Sequence, residues 1–279
     1  MIRLIIAAMF LASCGIDNRQ ESQTASNLPG VSANDNVVEF SGSEFLRICR
    51  NPMGNEAAKD TIYLLMEKVK RTECVSAYMS LKKMTKLFLS DSNITDITPL
   101  SDFVALTELS LSNNKITNIS PLKNLKALEY LYIEENQIDD LSPLKDHANL
   151  KFLTLGGNRI SDISPLFALR KLETLRLNSN LIADVSPLKS HPKLMDLYLN
   201  DNHISDISPL QNIVTLKGLY LHKNEISNIA SLKGLITLYY LSLGENPIDM
   251  IGAKNEKNCP TDASVVSPAV RSYCLNMQI

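Results

Sequence analysis

The five cysteines carry the clearest chemistry in this 279-residue sequence, and all of them lie outside residues 84–250. Cys14 stands alone near the N-terminus, whereas the other four form two separated pairs. Four cysteines allow three pairings, and their separation favours Cys49–Cys74 and Cys259–Cys274 disulfides in an exported chain. A zinc site is the alternative, but these cysteines form no C-x-x-C motif and have no histidine beside them. We therefore predict two disulfides and no metal site.

The four histidines are the other residues that could do chemistry. His147 and His191 occupy a position where similar segments of the chain carry Phe, Leu or Ile, which indicates buried structural histidines. The other two lie close to acidic residues: His203 and His222, near Asp201 and Glu245. A metal or acid–base site there is the alternative to a solvated polar edge. The sequence contains no G-x-S-x-G, H-E-x-x-H or phosphate-loop motif, so we predict no catalytic residue, no cofactor and no enzyme activity.

The N-terminus has the layout of a secretory signal. Arg3 is followed by an apolar run, Leu4 to Ala12, that is too short to cross ~30 Å of hydrocarbon as a helix. The segment Leu11-Ala12-Ser13-Cys14 resembles the bacterial lipobox, which implies that Cys14 becomes the lipidated first residue of the mature chain. An ordinary signal peptide with an unrelated cysteine is the alternative. In an exported lipoprotein of a Gram-negative cell, Gly15 favours the outer membrane over the inner one.

Composition restricts the classes of partner. We assign residues 1–13 to the signal peptide and residues 14–40 to a flexible tether, because the latter are polar and nearly free of large apolar groups. The sequence has 28 basic and 30 acidic residues and a net charge of −2, without the basic excess that nucleic acid or anionic lipid attracts. We expect no nucleic-acid binding, and membrane contact through the N-terminal lipid only.

A repeat of 22 residues runs through eight coils from Met84 to Cys259. We number each coil from its first residue, so that the first coil begins at Met84 and the eighth at Leu238. Position 4 is always Leu, position 6 is Leu or Ile, position 11 is always Ile, and position 9 is Asn in every coil except the first. Position 16 is Pro in six coils and position 17 is Leu in seven. Such self-similarity predicts a solenoid of stacked coils.

The spacing within each coil predicts its shape. Positions 4 and 6 lie one strand period apart and point to the core, and Pro at position 16 suits a short return path without a long helix. The Asn amide at position 9 can bond backbone groups of its own and the next coil, forming a ladder that satisfies buried backbone at the turn. The Asp or Asn at position 13 also has a repeated, structural role. The predicted Asn ladder comprises Asn114, Asn136, Asn158, Asn180, Asn202, Asn224 and Asn246.

Both ends of a solenoid need a cover. Residues 41–83 are predicted to form a helical N-terminal cap, with helices over Ala57 to Lys70 and Thr72 to Leu81, because their apolar residues recur at helical spacing. In the eighth coil, Gly252-Ala253-Lys254 replaces the usual Ser-Pro-Leu. We therefore assign residues 84–250 to the repeats and residues 251–279 to a C-terminal cap.

Aromatic residues concentrate at positions 3 and 5, which face outward from the strand. These 16 positions hold seven of the 16 aromatic residues of the chain. Strand propensity alone is the alternative explanation, but exposed aromatics are typical of protein-binding surfaces. We predict that they contact a partner: Phe88, Tyr130, Tyr132, Phe152, Tyr198, Tyr220 and Tyr240.

The string Asn202-His203-Ile204-Ser205-Asp206-Ile207-Ser208-Pro209-Leu210 resembles the leucine-rich repeat of the bacterial internalins, and the similarity covers about 60% of the chain. The resemblance implies an α/β fold: a right-handed leucine-rich-repeat solenoid of eight coils, with a concave parallel β-sheet, here capped at both ends. It also implies that the concave face binds protein. No cell-wall sorting signal, GW module or Ig-like domain is visible after the repeats, and the lipid replaces the wall anchor.

The function expected from these features is that of a membrane-anchored binding module. We expect a monomer that recognises a protein on a host, on a neighbouring cell or in its own envelope. Binding of carbohydrate or envelope glycan is the alternative, and catalysis is less favoured.

Overall fold

The computed structural model describes residues 42–51, 55–248, 267–270 and 272. Three helices come first: α1 (Glu44–Arg50), α2 (Glu56–Lys68) and α3 (Cys74–Leu81). Eight strands, β1 to β8, follow: Lys86–Phe88, Glu108–Ser110, Tyr130–Tyr132, Phe152–Thr154, Thr174–Arg176, Asp196–Tyr198, Gly218–Tyr220 and Tyr240–Ser242. The predicted signal peptide, tether and second disulfide lie outside the described residues, as does nearly all of the predicted C-terminal cap.

The eight strands form one parallel sheet in sequence order. Each strand pairs with the next in a register of one repeat, so that Leu87 lies opposite Leu109 and Leu109 opposite Leu131. The side chains at position 4 point inward, and from Leu87 to Leu219 they are at most 2% exposed. The leucine-rich-repeat solenoid predicted from the 22-residue period is therefore confirmed.

The return path of the coil is short and tight, as the prolines at position 16 predict. Seven coils return through a 3-10 helix in place of a longer α-helix: Thr98–Leu100, Ser120–Asn124, Ser142–Leu144, Ser164–Ala168, Ser186–Leu188, Ser208–Asn212 and Ala230–Gly234. The side chain of the Asp or Asn at position 13 accepts a backbone N–H at the start of each of these turns. In coil four, for example, Asp162 Oδ1 accepts the N–H of Ser164 at 2.8 Å, which satisfies a backbone donor at the helix start.

The asparagines at position 9 bond backbone groups at the turn after each strand. Asn114 Oδ1 accepts the N–H of Ile94 at 2.9 Å, and Asn114 Nδ2 donates to Leu111 O and Leu89 O at 2.8 and 2.9 Å. The same three kinds of bond recur up to Asn246. Each amide thus joins its own coil to the preceding one, and the expectation that it would reach the next coil is wrong. The cause is the direction of the side chain, which points back towards the start of the solenoid.

The N-terminal helices cover the open end of coil one. Phe45 on α1 is fully buried, and its ring lies 5.7 Å from that of Phe103. Asp102 of coil one accepts hydrogen bonds from Ser43 Oγ at 2.8 Å and from the N–H of Phe45 at 2.9 Å. A carboxylate of the first coil therefore holds the start of α1 in place.

The helical cap contains a disulfide between Cys49, on α1, and Cys74, at the start of α3. Helix α2 begins one residue earlier and ends two residues earlier than predicted. Helix α3 begins two residues later than predicted. The cap also meets coil one through Asp96, which accepts from Asn55 Nδ2 at 2.9 Å and, through its backbone oxygen, from Thr61 Oγ1 at 2.7 Å. At the other end of the chain, Val270 is buried in the hydrophobic core.

Candidate partner-binding face

The outward residues at positions 3 and 5 form a continuous surface, which we call the strand face. In β1 these residues are exposed on both sides of the buried leucine, whereas Thr154, Thr174 and Gly218 are buried although they occupy positions 3 or 5. All seven aromatics predicted from the sequence lie on this surface. Phe88 and Tyr240, near its two ends, are each 50% exposed, whereas the five between them are partly buried.

The first aromatic cluster of the strand face consists of Tyr130, Tyr132 and Phe152. The Phe152 ring lies 6.1 Å from that of Tyr130 and 6.4 Å from that of Tyr132. These distances are typical of favourable aromatic pairs. Phe88 has no ring contact with this cluster, because β2 between them carries Glu108 and Ser110 at positions 3 and 5.

The second aromatic cluster is a stack of three tyrosines from adjacent strands. The Tyr198 and Tyr220 rings are 4.1 Å apart with a 9° angle between their planes, and the Tyr240 ring lies 4.5 Å from that of Tyr220. Gly218 makes room for the middle ring, because a Cβ atom there would lie 3.3 Å from Tyr220 Cε2 and 2.7 Å from Asp196 Oδ1. The glycine therefore lets two neighbouring side chains lean across the strand.

Arg176 extends the tyrosine stack towards the first cluster. Its guanidinium carbon lies 4.5 Å from the centre of the Tyr198 ring, in cation–π geometry. The sequence interpretation, which followed aromatic residues only, missed this arginine. Its position in the repeat identifies it from the sequence, because Arg176 occupies position 5 like Tyr132, Tyr198 and Tyr220.

The hydroxyls of Tyr132 and Tyr220 stay protonated at neutral pH. Burial, the hydroxyl of Tyr198 and nearby negative charge raise the pKa of Tyr220 to about 12. Burial also raises the pKa of Tyr132. These phenols can therefore both donate and accept hydrogen bonds at the surface.

His147 and His191 lie under the 3-10 turns, away from the strand face. They are 0% and 1% exposed, and each ring contacts a carbonyl of the preceding coil at 3.1 Å: Leu122 O for His147 and Leu166 O for His191. Burial lowers the pKa of both imidazoles. They pack as core residues.

His203 and His222 do not meet the acidic residues expected from the sequence. His203 Nδ1 contacts Glu225 Oε1 at 3.2 Å, one coil further along, and a hydrogen bond of 3.0 Å joins His222 Nδ1 to Ser242 Oγ. Neighbours in the solenoid are residues 22 apart, which explains the Glu225 contact. Within the described residues, no group of three or more His, Cys, Asp and Glu side chains could hold a metal ion.

No helix among the described residues is long and apolar enough to cross a membrane. Cys14, Cys259 and Cys274 lie outside these residues.

Similarity to known proteins agrees with the geometry. The family model for Leucine Rich repeats (2 copies) matches residues 82–123, 104–146 and 148–190. The solved structure of internalin C2 from Listeria monocytogenes is 37% identical, with a TM-score of 0.57 over 59% of this chain and 74% of that one. An internalin of the same species, InlF, is 28% identical, with a TM-score of 0.53 over 75% of this chain and 74% of that one.

A leucine-rich-repeat protein of Leptospira interrogans is also similar, at 26% identity and a TM-score of 0.57 over 61% of this chain and 45% of that one. Curated protein sequences contain no match. The family-model matches lie within residues 82–190, which contain the first five strands of the strand face. The chain therefore belongs to the leucine-rich-repeat proteins and is of the internalin type.

Proposed function

We propose that the chain binds another protein through the strand face, with the seven aromatic residues named above as contact residues. The observation that carries the proposal is the pair of aromatic clusters on the strand face. Tyrosines that combine a large apolar area with a polar tip are enriched where proteins bind tightly. Eight strands spaced ~4.8 Å apart give a face about 34 Å long, enough for the ~800 Å² that each partner contributes to a standard interface.

Carbohydrate binding is the second candidate, and the geometry of the tyrosine stack favours it less. A sugar packs on the open face of an aromatic ring. In the stack, the Tyr220 ring lies between those of Tyr198 and Tyr240, at 4.1 and 4.5 Å, so its faces are covered and its edge points outward. The ring edges and hydroxyls of these tyrosines suit the mixed polar and apolar surface of a protein better than they suit a sugar.

The experiment for protein binding is a triple variant, Tyr132→Ala with Tyr198→Ala and Tyr220→Ala, compared with the wild type for capture of cross-linked partners on cells. One hot-spot tyrosine contributes about 2 kcal/mol or more, so we expect capture to fall by at least about 30-fold. The control is Phe167→Ala, because Phe167 is 47% exposed and lies in a 3-10 turn away from the face. Equal capture by wild type and a folded triple variant would overturn the proposal.

We also propose that the solenoid is held at a membrane by a lipid on Cys14, with residues 14–40 as a tether. The lipobox-like segment that ends at Cys14 supports this anchoring. We expect wild-type protein in the membrane fraction with an acyl mass on its N-terminus, and Cys14→Ser protein either released or left with an uncut signal. Soluble wild-type protein without acyl mass would contradict it.

A further inference from the structure

The guanidinium of Arg176, on β5, has no hydrogen-bond acceptor among the described residues. Within the described part of the chain, its guanidinium makes no hydrogen bond or salt bridge, and its Nε is buried without a hydrogen-bond partner. A desolvated N–H of a charged group is normally paired, because leaving it unpaired is costly. Since the residue is only partly buried, its outer N–H groups remain accessible from the strand face.

Thr154 lies beside Arg176, and its side chain also lacks a hydrogen-bond partner among the described residues. The two residues are partners in the register of β4 and β5. Thr154 is only 3% exposed, and its Oγ1 finds no hydrogen-bond partner among the described residues. Both groups can donate a hydrogen bond and neither is paired among the described residues, so an acceptor that reached this point of the face would satisfy both.

The distribution of charged residues on the strand face also singles out Arg176. Lys86 and Arg176 are the only cationic residues at positions 3 and 5 of the eight coils. Lys86 already contacts Glu108 at 2.8 Å. Asp196, on the strand next to Arg176, forms no salt bridge with it in the described structure. Among the described residues, Arg176 therefore forms no ion pair in its position between the two aromatic clusters.

We propose that Arg176, with Thr154 beside it, binds a carboxylate of the protein partner, so that the partner presents an acidic group flanked by apolar side chains. This inference rests on the proposed protein-binding function. Tyr132 lies on one side of the Thr154–Arg176 pair and Tyr198 on the other, each one strand away. The carboxylate occupies the polar gap, and the flanking apolar groups of the partner pack on the two clusters.

The packing of the Arg176 guanidinium on the Tyr198 ring preorganises it to bind a carboxylate. An arginine presents its donors as a planar fork that matches a carboxylate in two parallel hydrogen bonds. Packing against the ring restricts the side chain before the ligand arrives, which lowers the entropy lost on binding.

A library of random peptides displayed on phage, selected on the wild-type solenoid, tests the proposal. We expect the selected peptides to share an Asp or Glu with apolar neighbours. Their affinity should fall about tenfold or more for Arg176→Gln, which loses a charge-assisted pair, and less for Arg176→Lys, which keeps the charge. The control is Arg159→Gln, because Arg159 is exposed on the turn after β4, and this variant should bind like the wild type.

Synthetic versions of the selected peptides distinguish the source of the carboxylate. Replacing their Glu by Gln should remove the dependence on Arg176 if a side chain binds, and amidating the C-terminus should do so if the terminal carboxylate binds. Peptides that lose affinity for the tyrosine triple variant but bind Arg176→Gln normally would overturn this inference and leave the proposed function standing. Selected peptides whose binding needs neither an acidic side chain nor a free C-terminal carboxylate would overturn it as well. If no selected peptide depended on the strand face, both this inference and the proposed function would be overturned.

Discussion

The rings of Tyr198 and Tyr220 are stacked 4.1 Å apart although 22 residues separate them in the chain. The reason is the register of the sheet, in which position 5 of one coil lies directly opposite position 5 of the next. The ~4.8 Å spacing of neighbouring strands is close to the separation of stacked rings. Aromatic residues at the same position of adjacent coils therefore join into one surface without any special loop to hold them.

This stack predicts a measurable coupling between the two tyrosines. In a double-mutant cycle, the free energies of unfolding of Tyr198→Ala, Tyr220→Ala and the double variant should give an interaction of about 0.5–1.5 kcal/mol. The control cycle pairs Tyr132 with Tyr220, which belong to different clusters, and should be additive within about 0.5 kcal/mol. Additivity in both cycles, measured by urea denaturation, would show that the stack contributes nothing to the folded state.

The sequence predicts the sheet and its outward residues because the repeat gives every coil the same environment at a given position. It does not predict the partners of individual side chains. The amide of Asn114 could reach either neighbouring coil, and only the direction of its side chain selects the preceding one. Likewise, the position of Arg176 follows from the repeat, whereas its stacking on Tyr198 depends on rotamers that a single sequence does not encode.

The asparagine ladder predicts very different effects for two asparagines on the same turn. Asn202 is 7% exposed, and its side chain bonds Leu177 O, Leu199 O and the N–H of Ile182. Asn202→Ala leaves these buried groups unpaired and should cost about 1–3 kcal/mol or more of the free energy of unfolding. Asn200, two residues earlier, is partly exposed, and Asn200→Ala should cost less than about 0.5 kcal/mol.

Chemical denaturation of the two asparagine variants provides the comparison. Asn246→Ala, near the last described coil, should fall between them, because Asn246 is only partly buried. Similar losses for Asn200→Ala and Asn202→Ala would argue against a ladder that satisfies buried backbone.

The disulfide of the N-terminal cap predicts a loss of stability on reduction. Cys49 and Cys74 are 25 residues apart, and opening a loop of this length should lower the free energy of unfolding by about 3.5 kcal/mol on the loop-entropy model. The double variant Cys49→Ser/Cys74→Ser should show this loss. Adding a reductant should destabilise the wild type to a similar extent and leave the unfolding midpoint of the double variant unchanged. If reductant left the unfolding midpoint of the wild type unchanged, this result would contradict a stabilising role for the disulfide.

The buried histidines predict a dependence of stability on pH. Burial lowers the pKa of His147 and His191 in the folded protein, and for His147 the nearby charge of Lys126 lowers it further. In the unfolded chain a histidine has a pKa of about 6.5. Below that pH the unfolded chain takes up protons that the folded protein resists, so the free energy of unfolding falls as the pH drops. Above it, both imidazoles are neutral in both states, and their contribution to stability is complete.

Leucine is the natural replacement, because Leu125 and Leu169 occupy the same position of other coils and are fully buried. The double variant His147→Leu/His191→Leu should therefore lose much of the decline in unfolding free energy between about pH 7 and pH 5 that the wild type shows. Urea denaturation across this range measures both slopes, and each single variant should remove part of the difference. The carbonyl contacts of each imidazole favour its charged form and oppose the effect of burial. If those contacts prevailed, the wild type would instead gain stability as the pH falls, and the leucine variants would abolish that gain.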